Sequence, residues 1–245
     1  MKGNFKVNVA VVLLTYMEAE NVETLIPAIK GVVSRVTENF DVIVVDDDSP
    51  DGTARAAEAL GSHVLVRRNE RGLGSAIRAG IREALSRGAD IIITMDADWQ
   101  HNPQHIPRLI NACLEGADIA LGSRRIPGGQ LEMGLFRGLI SLGAKKLSNI
   151  ALRSGVKDPT SGFRAYNRRA AEEVLALRTN GYVFQVDSLR LARKRGLRIV
   201  EAPISFNSRR HGVSKLGLSE VMEYSGLLFT LLTRRLRTAV DSSGG

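Results

Sequence analysis

The chain has 245 residues, 44% of them apolar, which is enough for one large domain, or a domain with an appendage, and for a full buried core. Its net charge of +8 is unevenly spread: 12 Lys and Arg face 17 Asp and Glu through Gly122, and 22 face 9 from Ser123 on. A single cysteine, Cys113, excludes an intramolecular disulfide framework and suits a reducing compartment, and no stretch approaches the roughly 20 apolar residues that span a bilayer.

At the N-terminus the apolar run Val9–Leu14 is short and no small-residue cleavage pattern follows it, so no signal peptide is expected. Val7–Thr15 reads as the first strand. From Asn21 to Val36, Val22, Leu25, Ile26, Ile29, Val32, Val33 and Val36 share one helical face. Phe40–Asp47 is a second strand ending in carboxylates, Gly52–Leu60 a short Ala-rich helix and His63–Val66 a third strand. Gly72–Ser86 is a helix opened by Gly-Leu-Gly, followed by a strand over Ala89–Asp96 and a helix from Pro103 to Leu114. Ala117–Gly122 is a further strand. Strands alternating with helices predict a doubly wound, mainly parallel sheet.

Three strands of this pattern end in acidic loops: Thr15-Tyr16-Met17-Glu18, Asp46-Asp47-Asp48 and Asp96-Ala97-Asp98. As parallel neighbours they would converge at the carboxyl edge of the sheet, where open α/β sheets bind ligands. Asp96, Asp98 and the amide of Gln100 make a hard-oxygen set suited to Mg²⁺ or Mn²⁺ carrying a nucleotide's phosphates. A hydrogen-bonded surface turn is the plainer reading of Asp-x-Asp alone; three converging acidic ends favour the metal–nucleotide site. Gly72-Leu73-Gly74 lacks the third glycine of a dinucleotide fingerprint, and no Gly-x-x-x-x-Gly-Lys-Ser/Thr loop occurs. The basic second half fits a phosphate-bearing or anionic-surface partner. Nucleic acid is the competing explanation of the charge, but no aromatic-rich basic strand or recognition-helix motif accompanies it.

Several blocks together carry a resemblance. These are Asp46-Asp47-Asp48-Ser49-Pro50-Asp51-Gly52-Thr53, Asp96-Ala97-Asp98-Trp99-Gln100-His101, Gly122-Ser123-Arg124 with Gly128-Gly129, and Asp158-Pro159-Thr160-Ser161-Gly162-Phe163-Arg164. The last is Pro203-Ile204-Ser205-Phe206-Asn207-Ser208-Arg209 followed by Gly212-Val213-Ser214-Lys215-Leu216. In this order the chain resembles family 2 glycosyltransferases of the dolichyl-phosphate (polyprenol-phosphate) mannosyltransferase branch over nearly residues 7–235. Departures are Leu14 and Met17 in the family's Pro-Thr-Tyr-Asn-Glu, Arg125 where a Tyr often stands, and Asp48 in place of glycine.

The resemblance implies a GT-A (Rossmann-like) α/β fold, a nucleotide-sugar donor (GDP-mannose, with UDP-glucose as runner-up), Mg²⁺ or Mn²⁺, and a dolichyl or polyprenyl phosphate acceptor. It implies donor contacts at Leu14, Tyr16, Glu18, Val45, Asp47, Asp96, Ala97, Asp98, Gln100, Arg124, Arg209 and Lys215. The metal ligands would be Asp96, Asp98 and Gln100, and the acceptor-phosphate contacts Arg124, Arg137 and Ser141. Asp98, Arg124 and Arg209 would carry catalysis. A phosphate acceptor is already ionised near pH 7, so no general base is expected. A single displacement predicts inversion at the anomeric carbon.

Residues 1–215 are expected to form the catalytic domain, 216–238 an amphipathic membrane-interface segment and 239–245 a disordered tail. The apolar face of residues 131–150, with Lys145-Lys146, and that of the C-terminal segment, ending Arg234-Arg235-Leu236-Arg237, have interfacial composition. Packing on the sheet is the other reading of both. The expected partners are therefore the donor, the lipid phosphate and a membrane surface on its cytoplasmic face, with a small membrane-anchoring subunit as a further candidate and no nucleic acid.

Overall fold

The computed structural model describes residues 7–131, 155–181 and 183–207. The main sheet contains β1 (Val9–Thr15), β2 (Phe40–Asp46), β3 (His63–Val66), β4 (Ile91–Asp96), β5 (Ile119–Ser123), β7 (Arg164–Asn167) and β8 (Ile199–Pro203). Their order is β3-β2-β1-β4-β7-β5-β8. A small parallel ribbon pairs β6 (Gln130–Leu131) with β9 (Ser205–Phe206). Helices α1 (Ala19–Val33), α2 (Thr53–Ala59), α3 (Leu73–Ser86), α4 (Ile106–Leu114), α5 (Arg168–Val174) and α6 (Val183–Lys194) complete the described elements.

The strands are apolar on both faces because helices cover both. Val9, Val11 and Leu13 of β1 pack in one core with Val22, Leu25, Ile26 and Ile29 of α1 and Ile106, Leu109 and Ile110 of α4. The alternate residues Ala10 and Val12 join a second core with Ile77, Ile81 and Ala84 of α3 and Ala170, Ala171 and Val174 of α5. This period of two in a doubly covered sheet produces the near-continuous apolar runs of the sequence. Gly80 permits α3 to lie close: a Cβ there would stand 2.3 Å from Val12 Cγ1.

The expected mainly parallel α/β sheet is present, with one reversal. β7 runs antiparallel to both β4 and β5 and separates them. The helix expected from Asn21 to Val36 begins at Ala19 and ends at Val33. The one expected from Pro103 to Leu114 is a 3₁₀ turn, Pro103–His105, continued by α4. Asn102 caps that turn, accepting from the Gln104 N–H at 3.0 Å. Of residues 131–150 only Leu131 is described, in β6; the expected interface segment 216–238 and tail 239–245 lie outside the described residues. No described helix is long and apolar enough to cross a membrane.

β1 is flanked by β2 and β4, both parallel to it. The register sets Val45, Leu14 and Asp96 in one row across the three strands, with Asp46 beside Thr15 in the next. The three acidic strand ends thus share one edge at nearly one height.

Candidate active site

Among the described residues, the non-glycine residues with left-handed backbone are Met17 (φ 55°), Asp48 (φ 58°) and Trp99 (φ 66°). Each follows one of β1, β2 and β4 within three residues. That conformation costs an L-residue on the order of 1–2 kcal/mol and persists only where surrounding contacts enforce it. It also shows why glycine suits the position of Asp48.

Those contacts tie the first two loops together. Asp46, fully buried, accepts from the hydroxyls of Thr15 (2.8 Å) and Ser49 (2.6 Å) and from the Ser49 N–H (2.8 Å). The backbone N–H groups of Met17, Glu18 and Ala19 donate to the side chains of Ser49, Thr53 and Asp51. The Glu18 carboxylate is buried and accepts from the Asn21 amide at 2.6 Å. Burial opposes the charge of Asp51, but hydrogen bonds led by Thr53 outweigh it and hold the carboxyl below its ordinary range.

Asp47, at the mouth of β2, is pinned by Arg67, whose Nε donates to its Oδ1 at 2.7 Å. Arg67 Nη1 also donates to Ser75 Oγ at 2.8 Å, and Asn180 Oδ1 accepts from the Ser75 N–H at 3.0 Å. The Arg71 guanidinium lies 5.5 Å from the Tyr16 ring centroid. Leu14 is half-buried beside the α3 core, whereas the Val45 side chain lies wholly within it. Tyr16, Asp47, Arg67 and Arg71 therefore gather on the β1–β2 side of the edge.

On the β4 side, Asp96 is half-exposed, Ala97 and Asp98 are buried, and Asp98 Oδ1 accepts from the Gln100 N–H at 3.0 Å. His101 lies beneath them, 5.0 Å from the Phe163 ring, and its Nδ1 accepts from the Asp96 N–H at 3.1 Å. Burial drives the His101 pKa down to about 4, so the ring is neutral and its 3.7 Å approach to the Asp96 carboxylate is not an ion pair. No group of three His, Cys, Asp or Glu suited to a metal occurs among the described residues. Two carboxylates and an amide still fit Mg²⁺ or Mn²⁺, which complete their coordination with substrate phosphates and water.

Gly122-Ser123-Arg124 sets Arg124 against Asp158. Its Nε and Nη2 donate to Asp158 at 2.6 and 2.7 Å, and its backbone N–H donates to the same carboxylate at 3.0 Å. The guanidinium carbon is 4.9 Å from the Phe206 ring centroid. Asp158 is fully buried; burial opposes its charge, but the bonds and charge of Arg124 prevail and keep its carboxyl below the ordinary range. The fork of Arg124 is thus turned to a protein carboxylate. Arg137, Ser141, Arg209 and Lys215 lie outside the described residues. The described chain before Arg209 reaches the site: the Asn207 N–H donates to the Gln100 carbonyl at 3.1 Å.

Residues 10–175 match the family profile described as Glycosyl transferase family 2. The chain belongs to this glycosyltransferase family. Among similar proteins is the polyprenol monophosphomannose synthase of Mycolicibacterium smegmatis, 37% identical over 96% of this chain and 89% of the relative. The dolichol-phosphate mannosyltransferase of Pyrococcus furiosus is 38% identical over 91% of this chain and 63% of that protein. The undecaprenyl-phosphate mannosyltransferase of Micrococcus luteus is 40% identical over 85% and 87%. In fold this glycosyltransferase resembles a crystal structure of glucosyl-3-phosphoglycerate synthase from Mycobacterium tuberculosis in complex with Mn²⁺, UDP and phosphoglyceric acid. The TM-score is 0.70 at 24% identity, covering 94% of this chain and 78% of that one.

Sequence reading of this glycosyltransferase assigned no role to Arg67, Asp158 or His101. Asp158 and His101 stood inside quoted motifs, which was a signal. Arg67 had none, because a polar residue just past β3 reads as a solvated loop.

Proposed function

We propose that this glycosyltransferase moves mannose from GDP-mannose to a polyprenyl phosphate, dolichyl phosphate included, giving the β-linked lipid phosphosugar and GDP. The observation that carries the reading is the shared edge of β1, β2 and β4, where Asp96 and Asp98 stand beside the Tyr16–Asp47 side, in a chain 37–40% identical to the three mannosyl-transfer proteins.

Tyr16 and Asp47, the latter oriented by Arg67, receive the base and ribose. Asp96, Asp98 and Gln100 hold Mg²⁺ or Mn²⁺, which when bound offsets the charge growing on the leaving diphosphate. The acceptor needs no proton removed, so the remaining work is to hold two anions together. Arg137, Ser141, Arg209 and Lys215 take that work. Asp158 fixes Arg124 so that its remaining face, not its fork, is presented. The enzyme meets the lipid at the cytoplasmic face of the membrane through residues 131–150 and 216–238, with or without a small anchoring subunit.

The deciding experiment is transfer from GDP-mannose and from UDP-glucose to a short polyprenyl phosphate, with and without EDTA. Mannose transfer abolished by EDTA and by Asp98→Ala is the expected result. Transfer from UDP-glucose alone overturns the donor, and full activity in EDTA overturns the metal.

A further inference from the structure

We propose that Gln185 on α6 is a sugar-contacting residue, its carboxamide hydrogen-bonding a hydroxyl of the donor's hexose beside Asp96. The inference rests on the donor reading above, which supplies a sugar nucleotide at this edge. Gln185 is 2% exposed, yet its Oε1 has no hydrogen-bond partner among the described residues. A buried polar atom left unpaired is costly, so a structure keeps one where something else satisfies it.

The surroundings locate that space. A Cβ built on Gly162 would stand 3.4 Å from Gln185 Nε2, 3.8 Å from His101 Cε1 and 4.0 Å from Asp96 Oδ2. The carboxamide, the imidazole edge and the half-exposed Asp96 carboxylate therefore border one gap, about a methyl group across, that the missing side chain of Gly162 keeps open. Next to Gly162, Ser161 Oγ is a second buried oxygen without a partner among the described residues.

Gln185 is also held from behind. Its carbonyl accepts from Arg164 Nη1 at 2.9 Å and from Ser188 Oγ at 2.9 Å. Arg164, fully buried in β7, spends its other donors on the carbonyls of Ser161 and Pro159. One arginine thus fixes both walls of the gap, the Ser161–Gly162 turn and the first turn of α6. A neutral amide suits a sugar hydroxyl, because it can donate or accept without adding charge next to a metal and diphosphate.

The test separates sugar binding from nucleotide binding. Dissociation constants for GDP and GDP-mannose with Mg²⁺ are measured by calorimetry for the wild type, Gln185→Met and Gly162→Ala. Both variants should bind GDP within about twofold of wild type and GDP-mannose about tenfold more weakly, the effect of one lost neutral hydrogen bond. Gln185→Met removes the unpaired buried Oε1 and should melt no lower than wild type. Gly162→Ala meets only ordinary van der Waals distances and fills the gap instead. An unchanged ratio of the two constants in both variants overturns the proposal. If Gln185→Met fails to fold, the ratio in Gly162→Ala decides. A wild type that transfers only from UDP-glucose is tested in the same way with UDP and UDP-glucose. A wild type that transfers from neither donor refutes the donor reading, a result distinct from an unchanged ratio in an active enzyme.

Discussion

Replacing Asp158 with alanine should cost this protein about 3–5 kcal/mol, the usual penalty for removing one partner of a buried ion pair. Asp158 is fully buried and accepts two side-chain bonds and one backbone bond from Arg124, at 2.6, 2.7 and 3.0 Å. Arg125 Nε stands 3.8 Å from its Oδ1, the oxygen that also accepts from Arg124 Nη2. Without the carboxylate, Arg124 keeps its charge beside the Phe206 ring, and its side chain, only 15% exposed, has little water to turn to. A domain's whole stability is about 5–15 kcal/mol, so the variant should remain folded but marginal. With a urea m-value of about 3 kcal/mol/M, the midpoint should fall by roughly 1–1.7 M in equilibrium unfolding followed by circular dichroism. The double variant Arg124→Met/Asp158→Leu removes both charges and should lie closer to wild type than Asp158→Ala does. An Asp158→Ala midpoint within about 0.2 M of wild type would refute the reasoning, since it would mean that Arg124 re-solvates freely.

Three further outcomes follow from the geometry. Gly80→Ala sets a methyl 2.3 Å from Val12 Cγ1 and 3.1 Å from Val45 Cγ2, so thermal or urea melts should show a loss of about 1–3 kcal/mol as α3 is pushed off the sheet. Met17→Asn should raise stability by about 0.5–1 kcal/mol, because φ 55° strains methionine and suits asparagine; a lower melting temperature would show that the Met side chain matters more than the backbone. The His101 pKa is depressed to about 4, so above about pH 6.5 its burial carries no protonation penalty, and stability is lost as pH falls towards 4 while only the unfolded ring takes up a proton. In metal-free protein that loss should be on the order of 3 kcal/mol, and His101→Gln should show a flatter midpoint between pH 7 and 4.5.

The first 123 residues are legible because their chemistry is repetitive. Each strand from β1 to β5 carries an apolar stretch, each is followed by helical periodicity or a glycine opening, and two covered faces require that pattern. The remainder is written differently. β7 is Arg-Ala-Tyr-Asn, and its Arg164 is wholly buried because four hydrogen bonds to oxygen atoms satisfy it, a state that no hydropathy pattern announces. Charged ends at β1, β2 and β4 pointed to the shared edge correctly. Asp46 braces the loop, as its place beside Asp47 suggested, but the partner of Asp47 was not visible: Arg67 reaches it across 20 residues. Arg124 shows the same limit, since a motif gives the residue but not the carboxylate it faces.

The reversed strand also bears on how the chain assembles. β1 to β4 find their partners within the first 96 residues, but β4 and β5 are joined only through β7, which begins at Arg164. Until that segment emerges during synthesis, β4 presents an open edge whose Ile91, Ile92 and Ile93 are all apolar. Such an edge is a template for pairing with other chains, and contacts between residues this far apart form slowly. Nascent or truncated chains ending before Arg164 should therefore be the aggregation-prone species of this protein, and the four residues of β7 act as the stitch that ends that exposure.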